Sequence, residues 1–361
     1  MAILDAHDRR VEEIWRTLEA AAHPIYFLTW SWTARWLAAL PGDALPKLAV
    51  VSEAGAPVAA CFLGRRKLLR HGVLPVRLAS LNTTGVLQLD ELCVEHNHLL
   101  ALPGHTWSLA ALIELLPRDW DELVLPAIDA AAFEPRTIGP DYQVLVDRDV
   151  AAPFVDLARV RAARDYVALL SANTRSQIRR AGRAIGPSTL EAAQSAAHAA
   201  EIYDELVELH TASWRERGKS GAFADPWFDR FHRTLIAERF AHGEIELLRL
   251  RAGGQTIGCI YNLIANGHVL FYQSGLARFP DAGHIKPGYL CHAAAIERAA
   301  AAGHAVYDFL GGDARYKASL ATDTARLHWL RVQRRLTRFA LEDRVQRWKR
   351  AYTAWRATRP G

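Results

Sequence analysis

The sequence predicts an α/β protein made of two copies of one unit packed together, and three observations carry that expectation. Its 361 residues are long for one domain and comfortable for two. Two stretches, VVSEAGAPVAACFLG from Val50 and LRLRAGGQTIGCIYN from Leu248, share the order strand, glycine-containing turn, small–Cys–apolar strand. Helices precede the hairpin in both cases. Half of the residues are hydrophobic and 23% are charged, so either half can bury a core.

The first half opens with a helix over about Arg9–Ala22, where Val11, Ile14, Trp15 and Leu18 share one face. A second apolar helix, about Trp30–Leu40, stops at Pro41-Gly42. A hairpin follows, Leu48–Ser52 and Val58–Gly64 around Glu53-Ala54-Gly55-Ala56. Further strands are expected near Leu74–Leu81, Glu122–Leu125 and Tyr142–Val146, with a helix near Trp107–Leu116. Polar residues and a proline from Asp147-Arg148-Asp149 to Pro153 mark a boundary. The expected division is 1–150, 151–335 and a basic C-terminal helix over 336–361.

The second half begins with helices over about Val160–Leu170, Asn173–Ile185, Ser195–Arg217 and Pro226–Ala241. Strands Ile245–Leu250, Thr256–Ile264 and His268–Ser274 follow, the last two joined by Asn266-Gly267, a strong hairpin signal. A helix starts at Pro287 and ends before Gly303. Strands Ala305–Leu310 and about Leu327–Arg334 lead into the final helix.

Charge is unevenly spread. The net charge is +5, yet from Arg326 onward eleven Lys/Arg face only Glu342 and Asp343, so the rest of the chain is net negative. The tail is either a solvated helix face or a contact for RNA or another anionic partner. Cys61, Cys93, Cys259 and Cys291 form no C-x-x-C pair, which argues against a disulfide framework or structural zinc. Cys93, Glu95, His96 and His98 bring ligand types together, but so close in sequence that a metal site is not expected. The polar start and the lack of about 18 consecutive apolar residues give the expectation of a soluble, cytoplasmic protein.

The chemistry concentrates in His268–Leu320. A strand opens into a loop with Lys286, and Pro287-Gly288 starts a helix. Proline costs nothing in the first turn, and the N–H groups of Gly288, Tyr289 and Leu290 present the positive dipole end to an anion. Lys286 adds a point charge. The next strand ends at Asp308-Phe309-Leu310, and Gly311-Gly312-Asp313 turns the chain before Arg315-Tyr316-Lys317. Each feature has a plain structural reading too: a helix start, two turn-capping aspartates, a packed aromatic. Arg175, Arg179 and Arg183 lie i, i+4, i+8 on one helix, a like-charge stripe that an anion or nearby carboxylates would relieve, or a solvated face. His210 and His284 are possible cleft residues, and a lone histidine is more often structural.

The helix NTRSQIRRAGR (Asn173–Arg183), the loop IKPGYL (Ile285–Leu290) and the run DFLGGDARYK (Asp308–Lys317) resemble the GNAT acyltransferase superfamily, within it the FemAB-like, CelD-like branch. The resemblance covers about Val160–Arg335. The usual Gln/Arg-x-x-Gly-x-Gly/Ala pyrophosphate motif is replaced by the Pro-Gly version. It implies tandem GNAT-like units, each a mixed, mostly antiparallel central sheet flanked by helices, the second complete and the first degenerate. It further implies direct transfer of an acyl group from acyl-CoA, without a metal, to a primary amine of a small molecule or amino sugar. A backbone N–H of Gln273 or Ser274 would hold the oxyanion. Lys286, Pro287, Gly288, Tyr289 and Leu290 would hold the cofactor. Asp308 or Asp313 would take the amine proton or bind the acceptor, and Tyr316 would protonate the thiolate. Arg175, Arg179, Arg183 and Lys317 would bind substrate anions. An aminoacyl-tRNA donor, or a binding protein that kept the fold without the chemistry, are the competing readings.

Overall fold

The computed structural model describes residues 1–105, 107–131, 138–279 and 285–357. The first half runs β1 (Ala2–Asp5), α1 (Arg10–Ala22), α2 (Trp30–Ala39), β2 (Lys47–Glu53), β3 (Ala56–Arg70), β4 (Leu74–Leu81), β5 (Leu100–Ala101), α3 (Leu109–Leu115), β6 (Glu122–Asp129) and β7 (Tyr142–Asp156). The second runs α4 (Leu157–Ala163), α5 (Ala172–Ile185), β8 (Ser188–Ala192), α6 (Ala196–Glu216), α7 (Pro226–Arg239), β9 (Ile245–Ala252), β10 (Gln255–Ala265), β11 (His268–Leu276), α8 (Pro287–Ala301), β12 (Val306–Asp308), α9 (Arg315–Leu320), β13 (Asp323–Arg334) and α10 (Thr337–Ala357).

One sheet of order β1-β2-β3-β4-β6-β13-β7-β12-β11-β10-β9-β8 spans both halves. Its two ends are built alike. Four antiparallel strands lead through a helix to a parallel neighbour, β4 beside β6 in the first half and β11 beside β12 in the second. The last strands are exchanged. β7, from the first half, pairs with β12, while β13, from the end of the chain, pairs with β6. β7 and β13 then pair with each other from Asp323↔Phe154 to Arg334↔Tyr142.

That arrangement corrects the expected boundary. Asp147–Pro153 is not a linker but the middle of β7. Its polar residues answer β13 across the pair: Arg326 reaches Asp149 at 2.6 Å, Arg331 reaches Asp147 at 2.8 Å, and the Arg148 guanidinium lies 4.3 Å from the Trp329 ring centre. The short β1, β8 and α9 were not expected.

Each half keeps a core of its own, and a third is common to both. Val11, Trp15, Tyr26, Trp32, Trp36 and Phe62 of the first half pack with Tyr203, Phe228, Phe231, Leu247 and Tyr272 of the second. Within it His232 lies between two tyrosines, Nδ1 3.3 Å from the Tyr261 hydroxyl and Nε2 3.1 Å from the Tyr272 hydroxyl. The Tyr272 hydroxyl donates to the Leu92 carbonyl at 2.7 Å. With its one proton committed there, it accepts from His232, which places the imidazole proton on Nε2. The first turn of α10 is anchored too: Phe339 is buried and Arg338 meets Asp121 at 2.7 Å. Beyond it Leu341, Val345 and Trp348 are exposed. Among the described residues no helix is long and apolar enough to cross a membrane.

Two predictions follow from this packing. A Cβ on Gly275 would come within 2.3 Å of the Leu206 carbonyl oxygen of α6, so the sheet and α6 touch backbone to backbone there. Gly275→Ala should cost about 1–3 kcal/mol, read as a lowered Tm. Burial holds His232 and His292 down at about 3, from the ordinary 6.5. The unfolded chain therefore takes up protons below pH 6.5 that the folded chain refuses, so the urea midpoint should fall as pH drops from 6.5 towards 4.

Candidate active site

The site forms where the sheet opens. β11 and β12 pair only from His268↔Val306 to Leu270↔Asp308. Past that point the chain after β12 follows β7 instead: Phe309 N–H donates to the Pro153 carbonyl and Gly312 N–H to that of Ala151, both at 3.0 Å. β11 continues to Leu276 with β10 on one side and, among the described residues, no strand on the other. The wedge between them is the mouth of a cavity of about 850 Å³, a size that suits a ligand or the arm of a cofactor.

Gln273, Ser274, Lys286, Pro287, Gly288, Tyr289, Tyr316 and Lys317 all line this cavity. A Cβ on Gly288 would sit 3.0 Å from Leu276 Cδ1, so the start of α8 lies close against the end of β11. Lys286 donates to Gln177 Oε1 at 2.6 Å and lies 5.5 Å from the Tyr289 ring centre. The Tyr289 N–H is not free as expected, because it donates to the Lys286 carbonyl at 3.1 Å. The Tyr289 hydroxyl meets Ser319 Oγ at 3.0 Å. Tyr316 stacks on His292 with 5.5 Å between ring centres, and burial pushes its phenol up to about 12. It therefore keeps its proton throughout the working pH range.

Other expected residues lie elsewhere. Asp308 is buried behind the wall: Oδ1 accepts from the Leu310 N–H at 2.7 Å, and Oδ2 lies 3.0 Å from His96 Nε2. Both oxygens are engaged, so it shapes the turn rather than facing the cavity. Burial opposes the His96 imidazolium, but the Asp308 carboxylate outweighs it and raises the pKa of His96. Asp313 is exposed and off the cavity wall, as a tight turn leaves it. Lys317 does not reach out as a free cation. Its ammonium donates to the carbonyls of Gly311 at 2.8 Å and Leu310 at 3.3 Å, and burial lowers its pKa.

Leu290 lies on α8 away from the wall, against Gly182 of α5. Arg175 donates to the Leu170 carbonyl at 2.6 Å, while Arg179 and Arg183 are exposed and lack an ion-pair partner among the described residues. None of the three lines the cavity. His210 does, with burial holding its imidazole down at about 4. His284 lies outside the described residues. Among the described residues no group of three or more His, Cys, Asp or Glu side chains could hold a metal.

Sequence reasoning missed the contribution of the first half. Cys93 and Glu95 line the cavity. They come from residues 82–99, which close the equivalent wedge in the first unit, where β4 and β6 pair only over Leu78–Ser80 and Glu122–Val124. Asn97 spans that gap, its N–H on the Ala127 carbonyl at 3.0 Å and its amide on the Leu81 carbonyl at 2.9 Å. Asn82 braces it, donating to Asn97 Oδ1 at 2.8 Å. Cys93 and His96 flank Glu95 with positive φ, which swings it across to the second unit. The clustering of Cys93, Glu95, His96 and His98 was the available signal, and it was read only for metal.

Two units of one architecture thus stand in tandem, the second with an open wedge and the first with its wedge filled. Residues 170–318 match the family described as acetyltransferase (GNAT) domain. Among solved structures, a conserved protein of unknown function from Bacteroides thetaiotaomicron VPI-5482 is similar at 11% identity and TM-score 0.55, over 92% of this chain and 100% of that one. The C-terminal domain of a putative lysylphosphatidylglycerol synthetase from Agrobacterium fabrum gives 14% identity and TM-score 0.49, over 92% and 96%. A tandem GNAT protein from the clavulanic acid biosynthesis pathway gives 14% and 0.47, over 91% and 97%. No curated protein matches the chain.

Destroying the brace is expected to weaken the fold. Asn97→Ala leaves the Leu81 carbonyl and the Asn82 amide short of a buried partner, and should cost about 1–3 kcal/mol by urea denaturation.

Proposed function

We propose that this protein transfers an acyl group from acyl-CoA to the primary amine of a small molecule or amino sugar, by direct attack while both substrates are bound. The observation that carries the reading is the edge of β11 beyond Leu270, unpaired among the described residues, which shares one cavity with the start of α8. An extended pantetheine arm can hydrogen-bond along such an edge, and the helix start suits its phosphates. Lys286, Pro287, Gly288 and Tyr289 are the proposed phosphate seat. A backbone N–H of Gln273 or Ser274 holds the developing oxyanion. Tyr316, protonated at working pH, gives its proton to the leaving sulfur. The FemAB-like, CelD-like branch is the proposed placement, on the strength of NTRSQIRRAGR, IKPGYL and DFLGGDARYK.

A second reading, with aminoacyl-tRNA as donor, draws on the basic α10 beyond its anchored first turn. A melting experiment separates the two. Acetyl-CoA at 100 times its Kd should add about 2.7 kcal/mol to stability. A rise with aminoacyl-tRNA alone would favour the second reading, and no rise with either would defeat both.

Lys286→Ala tests the phosphate seat. Its charge meets phosphate equally in the ground and transition states, so KM for acetyl-CoA should rise while kcat holds. An unchanged KM with a collapsed kcat would remove Lys286 from the phosphate seat.

A further inference from the structure

The proposed transfer needs a proton acceptor at the amine, and the cavity wall offers few. His292 is buried with Nδ1 3.1 Å from the Tyr307 hydroxyl, and burial holds it and His210 far below neutral as weak bases. Cys93 is exposed as a residue, but the protein atoms crowded round its thiol, and after them Glu95 and Glu91, push it up to about 11. Of the two carboxylates on the wall, Glu216 is half exposed at the rim beside Arg278, as a solvated carboxylate is.

Glu95 remains. Its side chain is buried against the wall, yet it forms no salt bridge within the described residues. Oε2 accepts the Gly311 N–H, and a Cβ on Gly311 would lie 3.2 Å from the carboxylate, so the turn closes tightly on it. Oε1 takes no hydrogen bond from the described residues. The groups facing it are Lys317 from α9, His96 and Cys93 near it in the chain, Tyr272 from β11, Asp308 from β12 and the Gly311 N–H. Burial raises its pKa and Asp308 adds to that, while Gly311, Lys317 and His96 pull the other way without cancelling it.

Resting on the acyl-CoA reading, we infer that Glu95, supplied by the first unit, is the seat of the acceptor's ammonium group and takes its proton. The acceptor class is a primary amine that is cationic in solution. Glu95 accepts one proton from the ammonium. The nitrogen lone pair forms the C–N bond to the acyl carbon as the C–S bond breaks. The sulfur leaves as a thiol with the proton of Tyr316, the second nitrogen proton restores the phenol, and Glu95 releases its proton to water. A carboxylate held above its ordinary pKa is a better base for this step than a solvated one.

Glu95→Gln keeps an oxygen for the Gly311 N–H and cannot ionise. With acetyl-CoA as donor, and D-glucosamine and water as alternative acceptors, CoA release is followed from pH 5.5 to 9. The expected result is a fall of about 100-fold or more in kcat, loss of the acidic limb of the profile, and an unchanged KM for acetyl-CoA. A variant with the wild-type rate and the same acidic limb overturns the assignment. An independent arm needs no turnover: carboxyl carbon-13 titration of glutamate-labelled protein, with Glu95 identified by the signal missing from E95Q. Glu95 should titrate above the ordinary glutamate value of about 4.3; titration at or below it overturns the proposal. If calorimetry shows no acetyl-CoA binding to the wild type, the acyl-CoA reading fails, while the carboxyl titration still judges Glu95.

Discussion

The long antiparallel pair of β7 and β13 sustains everything else. Each strand belongs by sequence to one unit and by pairing to the other. Together they turn two half-sheets into one and remove the inner edge that each half would otherwise expose. The ion pairs across their polar stretch are solvent-exposed and each worth little. The stabilising weight lies in the backbone ladder and in Val150, Ala152, Val155, Leu327, Leu330 and Val332, all buried. The open wedge depends on the same pair, because β7 draws residues 309–312 away from β11.

The two wedges show how one architecture yields one open site and one closed one. In the second unit no described strand pairs with β11 on its β12 side beyond Leu270. In the first, Asn97 and Asn82 satisfy the strand ends with side-chain amides, so the gap holds a polar plug. The plug is not inert filler, since its far side forms part of the other unit's wall. A unit that has lost its own cleft thus still contributes to its neighbour's.

Local signals in the sequence were legible because local chemistry sets them. Asn266-Gly267 turns the β10–β11 hairpin, with both residues at positive φ. Pro287 stands at the start of α8, and the Gly-containing turns of the two hairpins fall where the repeat placed them. The exchange of β7 and β13 was not legible, because pairing partners far apart in sequence leave no periodic trace. Asp147–Pro153 looked like a linker because its charges are satisfied by a strand nearly 180 residues away. Asp308 and Glu95 were misjudged for one reason: which carboxylate faces a cavity depends on where the chain turns after β12, and that is decided by β7. Lys286 and Gln273 share one cavity wall because they belong to the β11–α8–β12 crossover, and Tyr316 joins them from α9, just beyond it.

The exchanged strands also impose an order of events on a chain made from its N-terminus. β7 is complete before any of the second unit exists, and it must wait for β12. β6 waits longer, because its partner β13 follows every other described strand in the chain. For most of synthesis the first half therefore carries an unsatisfied strand edge, the kind of surface that recruits other chains. Its closure waits on β13, so chaperone demand should concentrate on nascent chains that have not yet reached Arg334.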